Sequence, residues 1–183
     1  MKPATIKNNR MIIQFCGLSG SGKSTLAIEV KKHFDNQNVN IEIIDGDEYR
    51  KFLCRDLGFS KEDRHTNIRR LAFVAGKLAQ YHVIPIICAI NPYKDIREEV
   101  SASYQQVKTI YIKCSLDELI RRDTKGMYSK ALLPENDANR ISNLSGVNDP
   151  FEIPSVPDLV VETDKESVSE SCDKIIRFIN ENK

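Results

Sequence analysis

The sequence has 183 residues, of which 29% are charged and 40% are hydrophobic, and its formal net charge is +1. This length predicts one domain, residues 1–183, with a hydrophobic core of its own. The balanced charge argues against a generally basic protein that binds nucleic acid or an anionic membrane surface. The longest apolar run, Val83–Ile90, is too short for a membrane-spanning helix, which needs about 20 residues.

The N-terminus and the cysteines indicate the compartment. The first ten residues are polar and lack the apolar stretch of a secretory signal. The five cysteines are widely spaced and form no CxxC pair. This pattern predicts reduced, buried cysteines in a cytoplasmic protein.

Short apolar runs alternate with helical patterns along the chain. This alternation predicts an α/β fold, in which helices cover both faces of a mostly parallel sheet of about five strands. The predicted strands are Met11–Cys16, Ile41–Asp45, Val83–Ile90, Lys108–Lys113 and Leu159–Thr163.

Three long helices are predicted from apolar residues at helical spacing. The first spans Lys23–Phe34. The buried faces predicted for the other two consist of Ile68, Leu71, Ala72, Ala75, Leu78 and Ala79, and of Val168, Cys172, Ile175, Ile176 and Ile179.

Serine residues predict where helices begin. Ser60 precedes the helix that carries the first of these two faces and is expected to cap it. Ser115 with Glu118, and Ser167 with Glu170, each have the spacing of a capping box, in which each side chain accepts a hydrogen bond from the backbone N–H of the other residue.

One long segment shows little periodicity. From Lys125 to Pro157 it mixes glycine, proline, asparagine and serine. Loops of this length in compact domains are usually functional. We therefore predict a lid, at about residues 124–157, that closes over bound substrates.

A phosphate-binding pattern lies between the first predicted strand and the first predicted helix. Residues 17–24 match GxxxxGK[ST] in full. In this motif, backbone N–H groups surround the phosphates, the lysine reaches the β- and γ-phosphates, and the final hydroxyl binds Mg²⁺. Lys23 is thus a predicted catalytic residue and Ser24 a predicted metal ligand. The predicted ATP-binding residues are Gly17, Leu18, Ser19, Gly20, Ser21, Gly22, Lys23, Ser24 and Thr25.

Other features of the sequence narrow the class of reaction that this motif could serve. A switch GTPase should carry a guanine-specifying NKxD after a later strand, and the sequence has none. The short chain and the predicted lid favour a small kinase that closes over its substrates.

Two carboxylates lie at the end of the second predicted strand, in the order Asp45-Gly46-Asp47. On an extended segment, residues two apart point the same way. At the carboxyl end of a parallel strand they would face the crevice where ligands bind. We assign Asp45 to Mg²⁺ and Asp47 to the proton of the attacking hydroxyl.

Five segments resemble adenylylsulfate kinases in order and spacing. They are GLSGSGKST, DGDxxR from Asp45, LGFSxEDRxxNIRR from Leu57, AINPY from Ala89 and RDxKGMYxKA from Arg122. The resemblance implies a P-loop kinase that uses MgATP to phosphorylate the 3′-hydroxyl of adenosine 5′-phosphosulfate. It leaves a homodimer open.

The same resemblance implies roles for residues outside the P-loop. Arg50 and Arg64 would bind the phosphosulfate, since a guanidinium fork suits oxyanions, and Phe59 would stack on the base. Arg122 and Lys125 of the lid motif are expected at the ATP. The acceptor-site residues it implies are Asp47, Arg50, Phe59, Arg64, Asn67, Ile90, Asn91, Lys130 and Leu144.

The sequence departs from the family pattern near the acceptor. Asn91 stands where many relatives have serine, and the lid is longer than expected. Leu144 aligns with a phenylalanine that, in the family, stacks on the acceptor adenine. Losing one ring would weaken the preference for a purine.

Two alternatives therefore stay open. The first is a kinase on the same scaffold for another nucleotide with an anionic 5′ tail, such as cytidine diphosphoramidate in capsule assembly. The second is a non-catalytic nucleotide-binding module. The presence of Lys23, Asp45 and Asp47 argues against the second, because such a module would be expected to lose one of them.

Overall fold

A computed structural model describes residues 10–183. Except for Arg10, the polar N-terminal segment considered above lies outside this range. The strands are β1 (Ile12–Cys16), β2 (Ile41–Asp45), β3 (Ile84–Cys88), β4 (Val107–Lys113) and β5 (Leu159–Glu162). The helices are α1 (Lys23–Asp35), α2 (Gly46–Phe52), α3 (Lys61–Ala79), α4 (Lys94–Ser103), α5 (Leu116–Arg122), α6 (Met127–Ala131) and α7 (Val168–Asn182).

The five strands form one sheet in the order β2-β3-β1-β4-β5, and every neighbouring pair is parallel. The predicted α/β class and the strand count are confirmed. The largest error in a strand boundary is at β3, which ends at Cys88 rather than at Ile90. The chain turns away soon after that point, and Asn91 adopts a positive φ of 49°.

Helices cover both faces of the sheet, as predicted. On one face α1 and α7 pack against the sheet, with Phe15, Phe34 and Ile175 fully buried between them. On the other face α3 and α4 bury Leu71 and Ile96. Each such side chain contributes about 1.5–3 kcal/mol when it leaves water.

Two of the three predicted helix caps are confirmed. The Ser60 hydroxyl accepts a hydrogen bond from the Asp63 N–H at 3.1 Å. At α7 the Ser167 hydroxyl accepts from the Glu170 N–H at 3.2 Å, and the Glu170 carboxylate accepts from the Ser167 N–H at 2.8 Å. This reciprocal pair is the predicted capping box.

The capping box predicted at α5 is wrong. Ser115 precedes that helix, but its side chain makes no capping hydrogen bond. Its backbone N–H donates instead to Asp164 at 2.9 Å. The Glu118 carboxylate accepts from Arg121 and Arg122. Two charged partners on the same helix outcompete one backbone N–H, because hydrogen bonds to charged groups are the stronger ones.

The predicted buried face of α7 has one error. Val168 is 51% exposed, whereas Cys172, Ile175 and Ile179 are buried. Val168 is the first residue of the helix.

The predicted lid segment contains one short helix, α6. Its remaining residues to Pro157 contribute no other helix or strand and only an isolated bridge between Ser145 and Asp149. We call residues 144–149 the 144–149 turn. Within it the Gly146 N–H donates to the Asp149 carbonyl at 2.7 Å.

The structure also bears on the predictions about the cysteines and about membrane-spanning helices. The five cysteines, all within the described range, are buried and unpaired, as predicted. Between residues 10 and 183, no helix combines the length and apolar character needed to cross a membrane.

Candidate active site

A crevice opens at the carboxyl end of β1, β2 and β3. Its volume is about 440 Å³, within the usual range for small-molecule sites. It is lined by the P-loop, the start of α2, the first turns of α3, the loop after β3 and the segment before α6. Parallel strands place these five segments together because their carboxyl ends share one edge of the sheet.

The P-loop lies between β1 and α1, as the sequence predicts. Gly22 precedes α1 with a φ of 97°, a conformation that costs glycine little and other residues more. At Gly17 a Cβ atom would lie 2.4 Å from the Ile112 carbonyl oxygen, so only glycine fits there. The backbone can therefore curl so that its N–H groups and the N-terminus of α1 attract phosphate.

Lys23 lies within this loop. Its Nζ donates to the carbonyl oxygens of Gly17 and Leu18, at 2.8 and 2.7 Å. Burial lowers the pKa of Lys23 to about 8. The ammonium group is thus held beside the curled backbone of the P-loop, at a pKa close to physiological pH.

Ser24 and Asp45 form a pair of oxygen ligands. The Ser24 hydroxyl donates to Asp45 Oδ2 at 2.6 Å. The other carboxylate oxygen accepts from the backbone N–H groups of Asp47 and Glu48, at 2.9 and 3.4 Å. Carboxylate and hydroxyl oxygens are the ligands that Mg²⁺ prefers, so this pair fits the predicted metal role.

The two aspartates do not lie on one extended segment, and that part of the prediction is wrong. The strand ends at Asp45, which is the N-cap of α2, and Asp47 lies in the first turn of this helix. Aspartate is a preferred N-cap, and acidic residues are stabilised in a first turn. Both residues nonetheless line the crevice. Across it, the Asp47 carboxylate forms an ion pair with Lys125.

Two arginines lie near one aromatic ring. The guanidinium carbons of Arg50 and Arg64 are 4.6 and 5.5 Å from the centre of the Phe59 ring. Burial, followed by the positive charge of Arg64, lowers the pKa of Arg50. Two cations this close form a positive wall that favours an anionic ligand.

Arg64 is also held by the lid. It is only 7% exposed, and its Nη2 donates to the Asn143 carbonyl at 2.6 Å. The same nitrogen lies 2.9 Å from a carboxylate oxygen of Asp149. Sequence reasoning missed Asp149, whose only signal is its position shortly after Gly146 and Leu144, the residue that aligns with the family's phenylalanine.

The loop after β3 contributes Ile90 and Asn91, and α3 contributes Asn67. Asn91 is 1% exposed. Its amide nitrogen donates to the Gln14 Oε1 at 3.1 Å, and its carbonyl accepts from Arg97 at 2.7 Å. The side-chain oxygens of Asn67 and Asn91 have no partner within the described part of the chain.

Six predicted site residues lie outside the crevice lining, and three of them, Gly17, Leu18 and Ser21, belong to the P-loop itself. The other three lie elsewhere in the chain. Leu144 is 2% exposed and packs in a cluster with Leu119, Tyr128 and Ala131. Arg122 donates to Glu118 and to the Thr163 carbonyl, and Lys130 is exposed on α6. The predicted substrate contacts of these three residues stay predictions. For Leu144, burial in the core of the lid gives the physical reason for the difference.

The fold and the site together define a class. A P-loop after the central strand of a parallel sheet, with two carboxylates and basic side chains around one crevice, is the arrangement of a P-loop phosphotransferase. A family model described as adenylylsulphate kinase matches residues 9–162. The chain therefore belongs to the adenylylsulfate kinase family, as the resemblance indicated.

Individual relatives agree with this membership. An adenylyl-sulfate kinase of Halothermothrix orenii is 41% identical over 169 residues, which cover 92% of this chain and 89% of that protein. A probable bifunctional SAT/APS kinase 2 of Sorangium cellulosum is 43% identical over 93% of this chain. The chain spans only 28% of that longer relative.

A solved structure is also similar. It is the Mycobacterium tuberculosis APS kinase CysC in complex with AMPPNP and APS. Its sequence is 33% identical and its TM-score is 0.85, and the match covers 93% of this chain and 97% of that one.

Proposed function

We propose that this protein transfers the γ-phosphoryl group of ATP to the 3′-hydroxyl of adenosine 5′-phosphosulfate. The observation that carries the proposal is the crevice itself, which joins a P-loop to a wall built from Arg50, Phe59 and Arg64. One end suits a nucleotide triphosphate, and the other suits a nucleotide with an anionic 5′ tail. Relatives named adenylyl-sulfate kinase identify this acceptor among such nucleotides.

The P-loop end holds the donor. Lys23 lies where it can reach the β- and γ-phosphates, beside the N-terminus of α1. Ser24 and Asp45 would hold Mg²⁺, and that ion, when bound, neutralises the charge that develops on the phosphates. Lys125 faces the same space from the lid.

The acceptor end activates the hydroxyl. Asp47 is exposed in the crevice and can take the proton of the attacking 3′-hydroxyl. The adjacent Lys125 ammonium can stabilise the same carboxylate and the charge passing between the nucleotides. Positioning and charge stabilisation thus provide most of the catalysis.

The anionic tail and the base are bound by different groups. Arg50 and Arg64 would bind the phosphosulfate, and the Phe59 ring, which is 50% exposed, would stack on the base. The buried amide oxygens of Asn67 and Asn91 suit hydrogen-bond donors of the nucleotide.

A cytidine acceptor is not favoured. The expectation of a smaller base rests on Leu144 replacing an aromatic ring in the acceptor pocket. Leu144 instead lies in the buried cluster of the lid, so its identity does not indicate the size of the base. The comparisons point to adenosine phosphosulfate.

The test is a substrate panel with coupled detection of ADP. Purified protein with MgATP is given adenosine 5′-phosphosulfate or cytidine diphosphoramidate. We expect ADP release that depends on adenosine 5′-phosphosulfate, and none from a folded Lys23→Ala variant, which lacks the charge at the phosphates. Turnover with the cytidine nucleotide alone would contradict the proposal.

The proposal extends to the setting of the enzyme. We regard the chain as a single kinase domain acting in sulfate assimilation, with a homodimer as the simplest oligomer. Unpaired cysteines support a reducing compartment such as the cytoplasm.

A further inference from the structure

Three contacts within the protein hold the guanidinium group of Arg64 in the absence of substrate. Its Nε donates to the Phe59 carbonyl at 3.0 Å, and its Nη2 donates to the Asn143 carbonyl at 2.6 Å. The same Nη2 lies 2.9 Å from Asp149 Oδ2, close enough for an ion pair although the angle is unsuitable for a hydrogen bond. Within the described residues, no hydrogen bond involves Nη1.

This arrangement leaves one nitrogen of a planar fork for a ligand. Because the guanidinium is rigid, fixing Nε and Nη2 also fixes the direction of Nη1. Arg64 lines the crevice and is otherwise buried. A buried arginine needs a compensating charge, and Asp149 is the carboxylate paired with it.

Asp149 belongs to a tightly bonded part of the lid. Its backbone N–H donates to the Leu144 carbonyl at 3.2 Å. The Asn148 side chain accepts from the Leu144 N–H at 2.8 Å and donates to the carbonyl oxygens of Ala131 and Ile141. The 144–149 turn therefore places the Asp149 carboxylate with little freedom.

The same turn contacts the P-loop. A Cβ atom at Gly146 would lie 2.6 Å from a methyl carbon of Leu18, so the backbone of the turn packs directly against the Leu18 side chain. Leu144 and Leu18 share one hydrophobic cluster. The turn thus contacts the donor site on one side and Arg64 on the other.

We propose that Asp149 is a positioning residue for the acceptor, which acts by orienting Arg64 so that Nη1 faces the anionic 5′ tail. This proposal rests on the proposed function only in taking the acceptor to be an anionic nucleotide. Asp149 itself does not line the crevice, so it would act through Arg64.

Two effects of Asp149 on acceptor binding have opposite signs. As a negative charge near the crevice, it repels an anion, so its removal alone would lower the acceptor KM. As the partner that orients Arg64, it favours binding, so its removal would raise the acceptor KM. The proposal requires the second effect to dominate. The direction in which the acceptor KM changes therefore decides whether the proposal holds.

The experiment compares wild type with Asp149→Asn, which keeps the shape of the side chain and removes its charge. We expect the acceptor KM to rise about tenfold, within the range found for coupled neighbours. The KM for ATP and kcat at saturating acceptor should change less than twofold. An acceptor KM that is unchanged or lower would overturn the proposal.

Two further measurements separate positioning from a structural role. Asp56→Asn is the matched control, because Asp56 pairs with Arg70 on the outer side of the same helix α3, and its acceptor KM should equal that of wild type. In an Arg64→Ala background, Asp149→Asn should leave kcat/KM for the acceptor unchanged. A tenfold loss there, equal to that in wild type, would show that Asp149 acts independently of Arg64.

Folding and the proposed function are controlled separately. If Asp149→Asn does not fold, Asp149→Glu takes its place, because it keeps the charge but moves it by one methylene. A rise of threefold or more in the acceptor KM would then support the proposal, and a smaller rise or a fall would overturn it. Wild-type turnover of adenosine 5′-phosphosulfate tests the proposed function. The ratio of variant to wild-type KM, for whichever anionic nucleotide the wild type accepts, tests the role of Asp149.

Discussion

The depressed pKa of Lys23 makes ATP binding dependent on pH. Burial lowers this pKa to about 8, and the phosphates bind the charged form. Affinity should therefore be constant below the pKa of the free protein and weaken as the pH rises through about 8, by up to tenfold per unit. The measurement is the Kd of MgATP between pH 6.5 and 9.5.

Lys23→Arg is the control for this dependence, because arginine stays charged over the whole range. Its Kd for MgATP should not vary between these pH values. The titration of Lys23 also changes the stability of the protein with pH, in the direction opposite to its effect on ATP binding. Since the unfolded lysine has the higher pKa, the unfolded state binds more protons between pH 8 and 10.5, so the nucleotide-free protein gains stability as the pH rises through this window. A wild-type Kd that is flat across pH 8 would contradict the role given to Lys23.

Asp47 is expected to act on the rate rather than on binding. Asp47→Asn keeps the volume of the side chain but cannot take the proton of the acceptor hydroxyl. We expect kcat to fall by roughly 10²–10⁴ and the acceptor KM to change little. The measurement is steady-state kinetics at saturating MgATP. If kcat is retained and only the Mg²⁺ requirement shifts, the roles of Asp45 and Asp47 are exchanged.

At the level of secondary structure, Ser167 and Ser115 allow a paired test of helix capping. Ser167 caps α7 and Ser115 makes no side-chain cap at α5. Ser167→Ala should lower the free energy of unfolding by about 1 kcal/mol, and Ser115→Ala should leave it within about 0.5 kcal/mol of wild type. Urea denaturation measures both. Equal losses would show that the hydrogen bonds at α7 add nothing.

Leu144 allows a test of how the lid packs. Phenylalanine at this buried position must displace neighbours in the cluster, and overpacking typically costs about 1–3 kcal/mol. Leu144→Phe should therefore lower stability without tightening acceptor binding. Leu132→Phe is the control, because Leu132 is 55% exposed in the same segment. A lower acceptor KM for Leu144→Phe would place this residue in the acceptor pocket after all.

Elements whose signals are local could be predicted from the sequence. The strands and the P-loop follow from apolar runs and one motif, and α3 follows from its periodicity and from Ser60. By contrast, α2 was missed because its start, Asp45-Gly46-Asp47, fits both a strand end and a helix cap. The ion pair of Arg64 with Asp149 joins residues far apart in the chain, and no local pattern reports such a contact.

At the scale of the whole molecule, the cysteines report on the integrity of the fold. All five are buried, and burial raises the pKa of Cys16 to about 11 and that of Cys88 to about 12. Since the thiolate is the reactive form, none should react with a thiol reagent at pH 8 while the protein is folded. We expect no labelling in native buffer and five labels in denaturant, counted by mass spectrometry. Rapid labelling of Cys88 in the native protein would contradict the packing at the crevice.

The position of β1 at the centre of the sheet affects how the chain can fold during synthesis. This strand, the first of those in residues 10–183 to be synthesised, pairs with β3 and β4, in registers such as Phe15 with Cys88 and Ile12 with Val107. Among β1 to β5, all neighbouring pairs are parallel and none is joined by a hairpin, so each of these pairings closes a long loop and the contact order is high. The apolar strand Ile12–Cys16 therefore stays unpaired until β3 has emerged, and in that interval packing against α1 or binding to a chaperone would protect it from aggregation.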